Sequence, residues 1–450
     1  MTPAAGSASG SRAWTPHTDD EVAGMLADLG LASVEALFDV VPAALRLATG
    51  LDLAPGASEF DVADRLGELA AANRAADLVC FAGAGAYDHD IPAVVRRVGL
   101  RAEFVTAYTP YQPEVAQGVL QALFEYQTLV SRLTGLGVAN ASLYDGATAC
   151  VEAVNLAVAA TGRSTVWVSA GLHPAWRQVL ATFAAGTGHE LRTAPLSDGT
   201  TAWPAEGEPG AVVVAYPNHL GCLEDVGAVV ADARARGALV VVAVDPVAAG
   251  LLRTAGDWGA DVAVGEGQPL GTPLSFGGPY LGLFATTGEH VRRLPGRLVG
   301  QTVDAEGRRA YVTTLRTREQ DIRRERASSN VCTNQTLVAV AFAIQLAWLG
   351  TAGLRELALR CARATRYLRD QVAAVAGVEP LVSAPVLREL ALRLPVAADT
   401  ALERMAEEGF LAGVSLAGEG EDRGLLVAAT ERRTRAEIDA YAQALARVLK

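Results

Sequence analysis

Residues 261–284 read DVAVGEGQPLGTPLSFGGPYLGLF: a short β-rich run, a loop dense in glycine and proline, then a second apolar run. Three similar runs lie upstream, TVWVS at 165–169, AVVVA at 211–215 and ALVVVAV at 238–244. Helix-length segments such as 224–236 (EDVGAVVADARAR) separate them. Near-continuous valine runs joined by helices predict a parallel sheet with both faces covered.

Around this centre the chain changes character. Residues 1–17 are rich in Ala, Ser, Gly and Pro and read as a mobile tail. A helical segment over 18–80 follows, opened by TDDEVAGMLADLGL, where Thr18 can cap and acidic residues fill the first turn. The large α/β domain spans 81–335 and includes a long helix over 114–133, with Ala116, Val119, Leu120, Leu123 and Phe124 on one stripe. Residues 336–450 read as a smaller C-terminal α/β domain: a long apolar helix, strand-like ELALRLP, a helix at 399–408, strand-like GLLVAAT and a final amphipathic helix at 435–449.

At 450 residues and 50% hydrophobic content the chain can bury a large core. Its net charge of −12 argues against a nucleic-acid or anionic membrane surface. No secretory h-region and no apolar run of spanning length stands out, which points to the cytoplasm. Cys80, Cys150, Cys222, Cys332 and Cys361 show no metal spacing, so no metal is expected and the thiols read as buried. Lys450 is the only lysine, so any lysine imine chemistry must use another chain, because a guanidinium cannot replace that amine.

Four residues suggest a ligand pocket. In YDGATA, Asp145 and Thr148 open a helix whose free amides could hold a phosphate, or they cap it and no more. His173, in GLHPAW at a strand end, could stack on a planar ring or sit hydrogen-bonded in place. Asp245 ends the valine-rich strand, where it could pair with a protonated pyridine nitrogen or cap the turn before Pro246. GAGAYD at Gly83 lacks the third glycine and the acidic partner of a dinucleotide site. This order of a phosphate-type turn, a histidine, an aspartate and then a loop is that of the fold-type-I pyridoxal-phosphate enzymes, with a transferase-like large domain. Where that fold places its cofactor lysine, in the loop 265–273, this chain has Gln268.

The strings TDDEVAGMLADLG, AYTPYQPEVAQGVLQALFEYQT, NASLYDGATA, GADVAVGEGQPLG, GGPYLG, LPGRLVG, REQDIRRERASSNVCTNQ and ATERRTRAEID resemble the first-subunit chains of two-chain glycine dehydrogenase, the P-protein of the glycine cleavage system. The resemblance implies an α2β2 assembly whose second subunit carries the lysine and the pyridoxal phosphate. That assembly decarboxylates glycine and passes the aminomethyl group to the lipoyl arm of H-protein. It further implies that this chain reaches the partner's site through Tyr108, Thr109, Tyr111 and Gln112, and through Arg323, Arg324, Ser328, Ser329, Asn330 and Thr333. Tyrosine offers a flat face and a hydroxyl, and Ser and Asn offer short donors for phosphate oxygens. Three functions compete: a subunit of a heteromeric decarboxylase, a free-standing pyridoxal enzyme, which the lysine count disfavours, and a non-catalytic scaffold.

Overall fold

The valine runs become the centre of one sheet. The computed structural model describes residues 15–47, 51–105 and 109–450. Seven strands, Val138–Ala139 (β1), Thr165–Ser169 (β2), Glu190–Ala194 (β3), Ala211–Tyr216 (β4), Leu239–Val244 (β5), Val262–Glu266 (β6) and Gly282–Thr286 (β7), lie in the order β1-β7-β6-β5-β4-β2-β3. Strands β2 to β6 pair in parallel, and β7 runs antiparallel to both of its neighbours. Alternate side chains enter opposite cores: Val212, Val214, Val240 and Val242 pack on one face, Val213, Val241, Val262 and Val264 on the other. Burial on both faces is why these strands are apolar throughout.

The chain divides into two compact units, Met1–Asn73 and Arg74–Lys450. In the first, helices Asp19–Asp28 (α1) and Glu59–Ala72 (α2) bury no residue, and Thr18 and Glu21 close a capping box at the start of α1. In the second, Gln117–Thr134 (α3) buries Val119, Leu120 and Leu123. Gly146–Thr161 (α4) and Pro174–Thr187 (α5) pack together on the other face of the sheet from α3. Val226–Ala235 (α6) lies with α3. Thr336–Val372 (α7) is interrupted at Gly350, whose φ of +59° is not helical. By length and composition α7 is the one described helix able to cross a membrane, a candidate the apolar-run count misses. Its Ala339, Phe342 and Leu346 are packed in the core beside α3.

Beyond α7 a second sheet forms from Glu379–Pro380 (β8), Glu389–Arg393 (β9), Val414–Ser415 (β10) and Gly424–Ala428 (β11), in the order β8-β9-β11-β10. Its core, from Leu390 and Leu392 to Val427 and Tyr441, also takes in Phe81, just after the strand Val79–Cys80 that pairs with Phe410–Leu411. Residues 81–89 are thereby held against this second sheet. Residues 1–14 and Tyr108, both given expectations above, lie outside the described residues.

Candidate functional site

The carboxyl ends of β4, β5 and β6 open on a cleft of about 640 Å³, including its mouth, whose walls carry Tyr87, His173, Asp245, Glu266, Arg388 and Glu389. This is where open parallel sheets place ligands. Two of the four pocket candidates read from the sequence, His173 and Asp245, come together here with residues that pattern alone did not single out; Asp145 and Thr148 do not line the cleft.

Gln268 follows β6 by two residues and is buried. Its Nε2 donates to the carbonyls of Tyr87 (3.2 Å) and Thr272 (2.8 Å), and its Oε1 accepts from Tyr87 N at 3.2 Å. The amide therefore laces the loop to the segment around Tyr87, using both hydrogen-bonding ends, and no nucleophile replaces the missing amine.

Asp145 and Thr148 form a capping box at the start of α4, which is the capping alternative for this turn. The next amide, Gly146 N, donates at 3.0 Å to Glu266 Oε2, while Glu266 Oε1 accepts from Gln268 N (3.0 Å) and Leu281 N (2.9 Å). A carboxylate of this chain thus occupies the helix N-terminus, where dipole and amides favour an anion. Burial pushes the Glu266 carboxyl up to about 7 against the pull of these three amides.

Asp245 is committed as well. Its Oδ1 accepts from Val247 N at 2.8 Å, and its Oδ2 pairs with Arg388 from the C-terminal sheet. Arg388 also lies over the Tyr87 ring, 3.5 Å from its centroid, and donates at 2.8 Å to His89 Nε2. Because arginine only donates, His89 Nε2 must accept, so Nδ1 carries the proton and gives it to Glu431 at 2.6 Å. His89, Cys361 and Glu431 bring possible metal ligands within 4.8 Å of one another, yet both ring nitrogens are already used. Glu389 accepts from Ala84 N (2.7 Å) and from the Tyr87 hydroxyl (2.8 Å), so the GAGAYD loop seats this carboxylate.

His173 Nδ1 accepts from Ala175 N at 3.1 Å, which makes Nε2 the donor to Ala84 O at 2.8 Å. Burial, then neighbouring His219, holds this ring below the usual histidine range. His219 packs edge-on against it at 5.0 Å and bonds Glu419 at 2.7 Å. The ring is thus fastened on both nitrogens.

Pyridoxal phosphate needs a lysine amine, a carboxylate for its ring nitrogen and a free anion site for its phosphate. Here the amine is an amide, the carboxylate is paired with Arg388, and the helix N-terminus is taken by Glu266. These residues do not fit the cofactor.

The two segments expected to face a partner meet elsewhere, through a residue that sequence reading did not select. Arg297 is 4% exposed and donates from Nη2 to the Tyr111 hydroxyl (2.9 Å) and Cys332 O (2.6 Å), and from Nη1 to Asn334 Oδ1 (2.9 Å). Its only sequence signal is a lone charge in the apolar, glycine-flanked run LPGRLVG. The Tyr144 hydroxyl accepts from Cys332 N and Thr333 N, placing this ridge beside the start of α4. Tyr111, Gln112, Ser328 and Asn330 are exposed, Thr109, Ser329 and Thr333 are half-buried, and Arg323 and Arg324 lie fully at the surface. Of the cysteines, Cys150, Cys222 and Cys361 are buried, their thiols pushed up to about 12 chiefly by burial, whereas Cys332 is exposed, contrary to the buried reading.

The strand order and the site at the strand ends define the fold of the fold-type-I pyridoxal-phosphate enzymes. At the level of fold alone the chain is similar to a cysteine desulfurase from Escherichia coli (TM-score 0.59, 15% identity, 83% and 95% of the two chains covered). It is likewise similar to an alanine–glyoxylate aminotransferase from Nostoc (TM-score 0.57, 17% identity, 89% and 98% covered). The glycine cleavage system P-protein family matches residues 12–445, and the chain belongs to that family. It is 48% identical over 436 residues to the probable glycine dehydrogenase (decarboxylating) subunit 1 of Prosthecochloris aestuarii, covering 95% of this chain and 98% of the relative. The same protein from Moorella thermoacetica is 47% identical over 443 residues, covering 97% and 99%. A crystal structure of glycine decarboxylase (P-protein) of the glycine cleavage system, in inhibitor-bound form, is similar at a TM-score of 0.90 and 46% identity over 97% and 99% of the chains.

Proposed function

We propose that this chain is the lysine-lacking subunit of a two-chain glycine decarboxylase of the cytoplasm, working in an α2β2 assembly with a homologous, lysine-bearing subunit. The observation that carries the reading is the converted pocket: Gln268, Glu266 and the Asp245–Arg388 pair occupy the three fixing points of the cofactor with this chain's own groups. A catalytic family in which one chain has engaged its own cofactor contacts needs a second chain to hold pyridoxal phosphate. There the cofactor supplies the electron sink for glycine decarboxylation, before the aminomethyl group passes to the lipoyl arm of H-protein.

In this reading the chain's own work is positioning. Tyr111 and Gln112 from one segment, with Thr109 beside them, and Ser328, Ser329, Asn330 and Thr333 from the other, reach the partner's site; Tyr108 is assigned the same role from the sequence alone. Arg297 supports this, because one buried guanidinium binds both segments and fixes their spacing. Arg323 and Arg324, charged and at the surface, draw the glycine carboxylate and acidic surfaces towards that edge.

The test is glycine–bicarbonate exchange with lipoylated H-protein. Each chain alone is expected to be inactive and the mixture active. Exchange by this chain alone, or by the partner alone at the rate of the mixture, overturns the reading.

A further inference from the structure

Three arginines beside the Tyr111 ridge carry buried guanidinium nitrogens that the fold leaves without partners. Among the described residues, Arg297 Nε, Arg316 Nε, and Arg318 Nε and Nη2 are buried and have no hydrogen-bond partner. Arg297, 4% exposed, is bonded only to the neutral oxygens of Tyr111, Cys332 and Asn334. Among the described residues, Arg318 is bonded only to the carbonyl of Leu294, three residues before Arg297. Arg297 and Arg316 both lie against the Tyr111 ring, at 4.9 and 5.1 Å from its centroid. The three therefore form one cluster.

The acids nearby do not neutralise it. Asp321 pairs with Arg316 at 3.3 Å. The half-buried Glu319 feels all three guanidinium groups, but burial and Asp321 push its carboxyl up, and it is not hydrogen-bonded to any of the three. With both acids ionised, the cluster still holds one positive charge more than they offset. A buried guanidinium N–H left unpaired is unfavourable, and an unpaired buried charge more so. Four such donors in one cluster call for oxygen acceptors from outside the chain, either water or a solute. Guanidinium forks match a planar or tetrahedral oxyanion.

We infer that Arg297, Arg316 and Arg318 form a binding site for a small oxyanion, a carboxylate or a phosphate group, beside Tyr111. The inference holds whether or not the chain completes a partner's active site, because it rests on donors of this chain alone. Arg318 is its main ligand, with two free nitrogens, and Arg297 is the hinge between ligand and ridge. The exposed Arg323, Arg324 and Arg326 of the same segment are outside it.

The full-length chain, titrated calorimetrically with inorganic phosphate and separately with acetate over a chloride background of matched ionic strength, tests this. Saturable binding of at least one anion at a single site is expected. Phosphate preference identifies a phosphoryl ligand and acetate preference a carboxylate; equal binding supports the shared oxyanion chemistry. Arg318→Met should weaken the affinity at least about tenfold, the loss of one charge-assisted bond. Arg316→Gln, at a partly exposed position where folding is retained, should weaken it in the same direction, and Arg326→Gln should leave it unchanged. Absence of saturable binding of either anion to the unmodified chain overturns the site. So does unchanged affinity in Arg316→Gln together with a folded Arg318→Met.

Discussion

Replacing Arg388 by methionine should show how firmly the pocket is closed. The arginine spans from the C-terminal sheet to Asp245 after β5, stacks on Tyr87 and donates to His89, and its side chain and that of Asp245 are 5% and 16% exposed. Methionine keeps much of the volume but leaves Asp245, 16% exposed on the cleft wall, without its ion-pair partner. Removing one partner of such a pair costs about 3–5 kcal/mol. The double variant Asp245→Asn/Arg388→Met removes the stranded charge, so its loss should fall to about 1–2 kcal/mol, from the missing stack and the orphaned His89 acceptor. Native-state amide exchange in β11, which pairs with the strand following Arg388, reads this opening energy without assuming two-state unfolding. Equal loss of protection in the single and double variants, or a loss under about 1 kcal/mol in the single, refutes the reasoning.

Gln268→Lys should not create a working site: the side chain at this position is directed to the carbonyls of Tyr87 and Thr272, and productive geometry needs placement within about half an ångström. Exchange activity from that variant without a partner contradicts this. The Glu266 carboxyl has a folded value of about 7 against an ordinary 4.5, so the folded state holds its proton more tightly. Its stabilisation is full below about pH 4.5 and is lost as pH rises through about 7, on the order of 3 kcal/mol in all. Glu266→Gln should remove that part of the slope in thermal unfolding between pH 5 and 8; Glu152, also raised to about 7, keeps a remainder. An unchanged profile refutes the assignment. Charge reversal at Arg323 or Arg324 should raise the KM for glycine or lipoylated H-protein in the reconstituted complex, with assembly intact. Unchanged KM values and salt dependence would leave these arginines without a steering role.

The parallel sheet was legible because strands buried on both faces must be apolar at every position, and the runs around Val212 and Val241 are. Asp245 and Gln268 were legible because strand ends are where such sheets put chemistry. What closes the pocket was not. Arg388 meets Asp245 from 143 residues away, and no periodicity links them. Glu266 gave a signal, an acid at the end of a buried apolar strand, but its partner at Gly146 comes from another element. GAGAYD, weighed as a nucleotide motif, instead seats Glu389. Arg297 looks in sequence like any surface charge; only the fold brings Tyr111 and Cys332 to it.

The central claim is that this chain holds no pyridoxal phosphate and its partner does. Borohydride reduction of the mixed complex with pyridoxal phosphate in the absence of glycine, followed by peptide mass spectrometry of both chains, decides it. A phosphopyridoxyl adduct is expected on a lysine of the partner, and none on this chain outside Lys450 and the amino terminus. A stoichiometric adduct elsewhere on this chain, or a visible cofactor absorbance band from this chain alone, would contradict it.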